Sequence, residues 1–173
     1  MTQFVVLLRG INVGGHNKLP MKDLREILEA LGYDSVQTYI QSGNAVLSAA
    51  ARPDAAGIAA AIEKRFGFAP GVLVISAKQF RAVADANPYV DEAEEPKHLH
   101  ISFLSQPAAP DMDALSSRKS ATEQYTLTDD AFYLLAPDGI GRSKLAADVE
   151  RLLGVEATGR NLNTVRKLLD MLA

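Results

Sequence analysis

One order of short apolar runs and amphipathic helices occurs twice along this chain, and it restricts the fold more than any single motif does. Phe4 to Leu8 is a β-branched and leucine run ended by Gly10, the pattern of a buried strand. From Pro20 to Leu31 the apolar residues Met21, Leu24, Ile27, Leu28 and Leu31 recur at helical spacing. Pro20 suits the first turn of that helix and Gly32 its exit. Val36 to Ile40 and Ala45 to Ser48 flank Gln41-Ser42-Gly43-Asn44, which reads as a hairpin connection. Pro53 to Phe66 is a second helix with Ile58, Ile62 and Phe66 on one face and Gly67 as its stop. Strand Val72 to Ile75 and helix Ala77 to Asp85 complete the first half.

After an acidic stretch the order returns. Strand Leu99 to Leu104 is followed by a short helix around Asp111 to Ser116, then by strands Gln124 to Leu127 and Phe132 to Leu135. Helix Ser143 to Leu153, an extended segment Val155 to Thr158 and a last helix Asn161 to Leu172 close the chain. Ile62-Glu63-Lys64-Arg65-Phe66-Gly67 parallels Val149-Glu150-Arg151-Leu152-Leu153-Gly154, which supports an internal repeat. Each half therefore reads strand-helix-strand-strand-helix-strand-helix. That is an α+β chain of two tandem ferredoxin-like, split β-α-β sandwiches with antiparallel sheets, since adjacent strands joined by short turns pair antiparallel. An open alternating α/β sheet is the competing fold. Residues 1–86 form the expected first domain, 87–97 an acidic linker and 98–173 a second domain with its C-terminal helix. The linker reading rests on Pro88 and Pro96 with Asp91, Glu92, Glu94 and Glu95.

This topology places the polar loops. The stretch after the first strand, Arg9 to Lys18, and the Gln41 to Asn44 hairpin share one end of the first sandwich. In the second, the loop Asp138 to Lys144 and the segment Gly159 to Asn161 share one end, and a short linker would bring all four to an interdomain cleft. The expected ligand-binding residues are therefore Arg9, Asn12, Gly14, Gly15, Asn17, Lys18, Gln41, Ser42, Gly43 and Asn44 from the first half. Arg142, Ser143, Lys144, Arg160 and Asn161 join them from the second. Arg9, Lys18, Arg142, Lys144 and Arg160 bring positive charge, and the amides bring orienting hydrogen bonds. Gly14 and Gly15 let backbone N–H groups approach a ligand closely. Ser143 and Asn161 look like helix N-caps, and a helix start attracts an anion. The same residues have structural uses: glycine turns and caps shape loops, and interface arginines pair with carboxylates.

Other chemistries find little support. Gly10 to Gly15 has the spacing that opens a P-loop, yet His16 and Asn17 stand where lysine and serine or threonine are required. The glycine spacing is also wrong for a dinucleotide fingerprint. His98 and His100 lie two apart on a strand without a third ligand, so no metal is assigned. No Gly-x-Ser-x-Gly elbow occurs, and Asp129-Asp130 suits a hairpin turn better than an acid–base pair. No cofactor follows from any motif. The strands lack the aromatic set that stacks bases on a ferredoxin-like sheet.

The loops also carry a signature. Leu7-Leu8-Arg9-Gly10-Ile11-Asn12-Val13-Gly14-Gly15, Thr38-Tyr39-Ile40-Gln41-Ser42-Gly43-Asn44 and Thr158-Gly159-Arg160-Asn161-Leu162-Asn163-Thr164-Val165 together resemble the bacterial domain-of-unknown-function family 1697. Leu162 stands where that family usually carries an aromatic. The resemblance implies a tandem ferredoxin-like α+β protein and no established activity.

Composition narrows the function classes. There is no cysteine, which excludes disulfides, thiolate metal sites and a cysteine nucleophile. With 18 Lys and Arg against 21 Asp and Glu the net charge is −3, so phosphate attraction needs a local patch. Met1 to Gly15 has neither a basic leader nor a cleavage pattern, and no apolar stretch approaches the roughly 20 residues of a membrane helix. A cytoplasmic protein that binds a small anionic, phosphorylated or nucleotide-like ligand is the expectation. A single-strand nucleic-acid module and a protein-interaction or oligomer module are the alternatives.

Overall fold

The computed structural model describes residues 1–173. It contains two compact units, one of Met1–Ala82 with Lys167–Ala173 and one of Val83–Arg166. The first unit holds β1 (Thr2–Arg9), α1 (Met21–Ala30), β2 (Asp34–Tyr39), β3 (Asn44–Ala49), α2 (Ala55–Phe66), β4 (Gly71–Ser76) and the start of α3 (Ala77–Asp85). The second holds β5 (Leu99–Leu104), α4 (Met112–Arg118), β6 (Gln124–Leu127), β7 (Ala131–Leu135), α5 (Lys144–Leu153), β8 (Ala157–Asn161) and the start of α6 (Leu162–Met171). Both units divide from each other within α3 and within α6.

Each sheet is four-stranded and antiparallel, in the order β2-β3-β1-β4 in one unit and β6-β7-β5-β8 in the other. Because side chains alternate along a strand, Phe4, Val6 and Leu8 point to one face of β1, where they pack with Leu24, Leu28, Ile58 and Ile62 of α1 and α2. Val5 and Leu7 on the opposite face are buried as well, which is why this strand is apolar throughout. In the second unit Phe132 and Leu134 pack with Leu115 of α4 and Leu145 and Leu153 of α5.

Helix ends follow the sequence signals closely. Asp54 accepts a hydrogen bond from the Ala56 N–H, and Gly67 ends α2 at φ 83° with its N–H on the Glu63 carbonyl. Ser143 accepts from the Ala146 N–H, and Gly154 ends α5 at φ 70° with its N–H on the Glu150 carbonyl. The two six-residue parallels identified in the sequence are thus matching helix ends.

Three local readings change. Gly159, Arg160 and Asn161, a loop by their sequence pattern, complete β8, paired with Ser102, Ile101 and His100. A Thr-Gly-Arg-Asn run has weak strand propensity, and pairing with β5 overrides it. His98 ends a 3-10 turn, Pro96–His98, instead of sharing a strand with His100. Residues 87–97 lie in the second unit, where Tyr89 is buried with its hydroxyl 2.6 Å from Thr126 Oγ1, while Asp91, Glu92, Glu94 and Glu95 stay exposed. One aromatic ring anchors a segment whose charges face water.

Candidate functional site

The connection from β1 to α1 is built on left-handed backbone. Gly10, Asn12, Gly14, Gly15 and Asn17 have φ between 52° and 77°, a region that L side chains other than asparagine rarely enter. Asn12 holds the connection together from inside. Its Nδ2 donates to the Leu19 carbonyl at 2.9 Å and the Gln41 carbonyl at 2.8 Å, while its Oδ1 accepts from the Leu19 N–H at 2.8 Å. Asn17 Nδ2 donates to the Gly10 carbonyl at 3.0 Å, and the Asn12 N–H donates to the Asn17 carbonyl at 3.0 Å. These bonds close the loop without using the N–H groups of Gly14 and Gly15. Asn12 and Asn17, two of the amides expected at the ligand, are therefore struts of the loop.

The hairpin is fastened to the same place. Leu8 donates its N–H to the Gly43 carbonyl at 2.8 Å. Gly43 sits at φ 93°, and a Cβ there would stand 2.7 Å from Leu8 Cβ and 2.8 Å from Ile11 Cδ1, so the close approach requires glycine. Asn44 is fully buried and donates through Nδ2 to the Tyr39 carbonyl and Ser42 Oγ, both at 2.9 Å. The two polar loops of the first unit meet as their topology requires.

Between them lies a cavity of about 470 Å3, lined by Asn12, Gly15, Lys18, Pro20 and Gln41. Lys18 is exposed, and no carboxylate lies within ion-pair distance of its ammonium. Arg9 is not part of this wall. Its guanidinium lies across Gly71 of β4, where a Cβ would stand 2.7 Å from Nε.

In the second unit Arg142, Ser143 and Lys144 fall together at the start of α5, as expected. Arg142 and Lys144 line a smaller cavity of about 240 Å3 with Ser117, Arg118, Lys119, Ser120 and Glu123. The sequence pattern stops the preceding helix at Ser116 and so leaves out these residues, although the adjacent basic pair Arg118-Lys119 is a signal for them. Asn161 caps α6, its Oδ1 accepting from the Thr164 N–H at 3.0 Å. Arg160 is buried, and loss of water around its guanidinium lowers its pKa from 12.5 to about 10 while leaving it charged at neutral pH. It donates from Nη1 to the Gly159 carbonyl at 2.9 Å. Burial likewise lowers the His100 pKa, with the neighbouring His98 adding to it against the opposing bond to the Lys97 carbonyl.

The family described as "Protein of unknown function (DUF1697)" matches residues 1–133. The chain belongs to that family. Those residues include both polar loops of the first unit and β5, α4, β6 and part of β7 of the second. A conserved bacterial protein of Streptococcus pneumoniae, SP0830, is 23% identical, with 99% of this chain and 98% of that chain covered at a TM-score of 0.71. The likeness shows a shared fold. An unknown protein from Galdieria sulphuraria is 13% identical over 92% of this chain and 98% of that one, at a TM-score of 0.27 from which no common fold follows. No curated protein matches the DUF1697 chain. No helix in it is long and apolar enough to cross a membrane.

Proposed function

We propose that this DUF1697 protein binds a small anionic ligand, phosphorylated or nucleotide-like, at the cavity between the β1–α1 connection and the β2–β3 hairpin. The carrying observation is one unpaired ammonium, that of Lys18, on a loop whose shape is held by internal amide bonds. Such a loop loses little conformational freedom on binding, so charge and N–H contacts convert into affinity more fully. In this reading Lys18 neutralises the anion and the Gly14 and Gly15 N–H groups face it. Gln41 orients the organic part against Pro20, and Asn12 positions the loop. We also read each unit as a ferredoxin-like sandwich. The placement of β1 between β3 and β4, and of β5 between β7 and β8, supports this.

Thermal-shift screening with phosphorylated metabolites tests the site. A true ligand at 100 times its Kd should stabilise the native state by about 2.7 kcal/mol. Lys18→Gln should weaken a hit about tenfold without lowering the unliganded melting temperature. A panel in which nothing stabilises the protein, or a hit to which Lys18→Gln responds like wild type, would remove the proposal.

A further inference from the structure

The smaller cavity in the second unit carries a separate assignment. Four cations, Arg118, Lys119, Arg142 and Lys144, surround about 240 Å3 against one lining carboxylate, Glu123. Glu123 is buried, and its Oε1 accepts the Ser120 N–H at 2.8 Å, so this carboxylate shapes the turn after α4. No ion pair engages it. Arg118 is only loosely countered by Asp148, at 3.5 Å, and Asp148 also pairs with Arg151 at 3.2 Å. Arg142 and Lys144 have no carboxylate within ion-pair distance. Like charges converge here from two segments distant in sequence, the end of α4 and the start of α5. Their mutual repulsion is relieved by a multivalent anion.

We infer that this cavity is a binding site for a compact oligophosphate, such as inorganic pyrophosphate or the phosphate chain of a larger molecule. The volume lies below the roughly 300 Å3 at which drug-sized pockets begin, so it suits a group made mostly of charge. Arg118 and Arg142 offer planar forks for phosphate oxygens, and Lys119 and Lys144 add point charges. The assignment does not rest on the Lys18 site, which lies in the other unit.

Calorimetric titration of the full chain with inorganic pyrophosphate, at low and at near-physiological salt, tests it. One pyrophosphate should bind per chain, more tightly than orthophosphate. The double variant Arg142→Gln with Lys144→Gln should weaken binding at least tenfold while its melting temperature stays within about 2 °C, both side chains being exposed. Glu123→Gln keeps the acceptor for Ser120 and removes the opposing charge, so it should tighten binding several-fold. Lys18→Gln should leave pyrophosphate affinity unchanged, which separates a failure here from a failure of the first site. The inference falls if wild type does not bind pyrophosphate or if the double variant binds as wild type does. It falls equally if a single-stranded RNA oligomer displaces pyrophosphate with a steep salt dependence, for the patch would then follow a nucleic-acid backbone.

Discussion

Val46 of β3 and Tyr133 of β7 hold the same register position in their sheets, opposite Val5 and Ile101 of the central strands. Ile75 of β4 and Arg160 of β8 are matched in the same way. All four side chains are buried, yet one unit fills these positions with hydrocarbon and the other with a phenol and a guanidinium. The backbone frame does not register the change. The Leu8 N–H meets the Gly43 carbonyl at 2.8 Å, and its counterpart Leu104 N–H meets the Asp130 carbonyl at 3.0 Å. Ser76 accepts the Gln79 N–H at the start of α3 as Asn161 accepts the Thr164 N–H at the start of α6. Strand pairing and helix caps repeat because backbone geometry demands them, whereas the side chains at these two matched positions differ in polarity.

Loops diverge further than faces. The first unit's cavity lies at the C-terminal end of its central strand, where Asn12 and Gly43 lock two loops together. The matching connection in the second unit, Ser105 to Asp111, has no glycine. Its cationic cavity lies at the other end of the equivalent sheet, after β7, whose Leu135 pairs with Leu99 at the beginning of β5. At that end of the first unit, the segments 31–33 and 50–54 contain one cation, Arg52, which donates to the Val74 carbonyl. Duplication of a frame thus does not duplicate a site.

The sharpest way to break this comparison is at the hairpins. Gly43→Ala must adopt φ 93° with a Cβ against Leu8 and Ile11, so it should destabilise the protein by about 3 kcal/mol. Asp130→Ala at the matching position demands no left-handed backbone, so it should cost clearly less than Gly43→Ala. Equal losses in denaturant titrations would show that the two hairpins are fastened alike. Next in size is Asn12→Ala, expected to cost about 2 kcal/mol through the Leu19 and Gln41 groups it leaves unpaired.

A smaller effect, about 1 kcal/mol near neutral pH, belongs to Tyr133→Phe, which removes the hydroxyl that donates to the Val83 carbonyl at 2.6 Å. Its pH signature is more informative. Burial first, and the Asp130 charge second, raise the Tyr133 pKa from 10.0 to about 12. The folded state therefore holds the phenol neutral where the unfolded chain ionises. Its contribution is whole below pH 10 and is lost as pH rises to about 12. Stability curves for wild type and Tyr133→Phe should converge across that window; parallel curves would place the phenol in ordinary solvent.

Much of this was legible in the chain. The helix stops at Gly67 and Gly154, the caps at Ser143 and Asn161, and the meeting of the first unit's two loops all follow from local signals and antiparallel connectivity. Tyr89 within an acidic run, β8 through Gly159, and the basic pair beyond Ser116 were not legible, since each depends on what lies across space from it.

Local chemistry alone determined where strands and helices begin and end and that their order repeats, because capping, periodicity and glycine conformation act over a few residues. Only the tertiary structure decided that Asn12 is a strut while Lys18 faces a cavity, and that Arg118 joins Arg142. Whether a polar group is used up or available depends on neighbours that folding brings near from far along the chain.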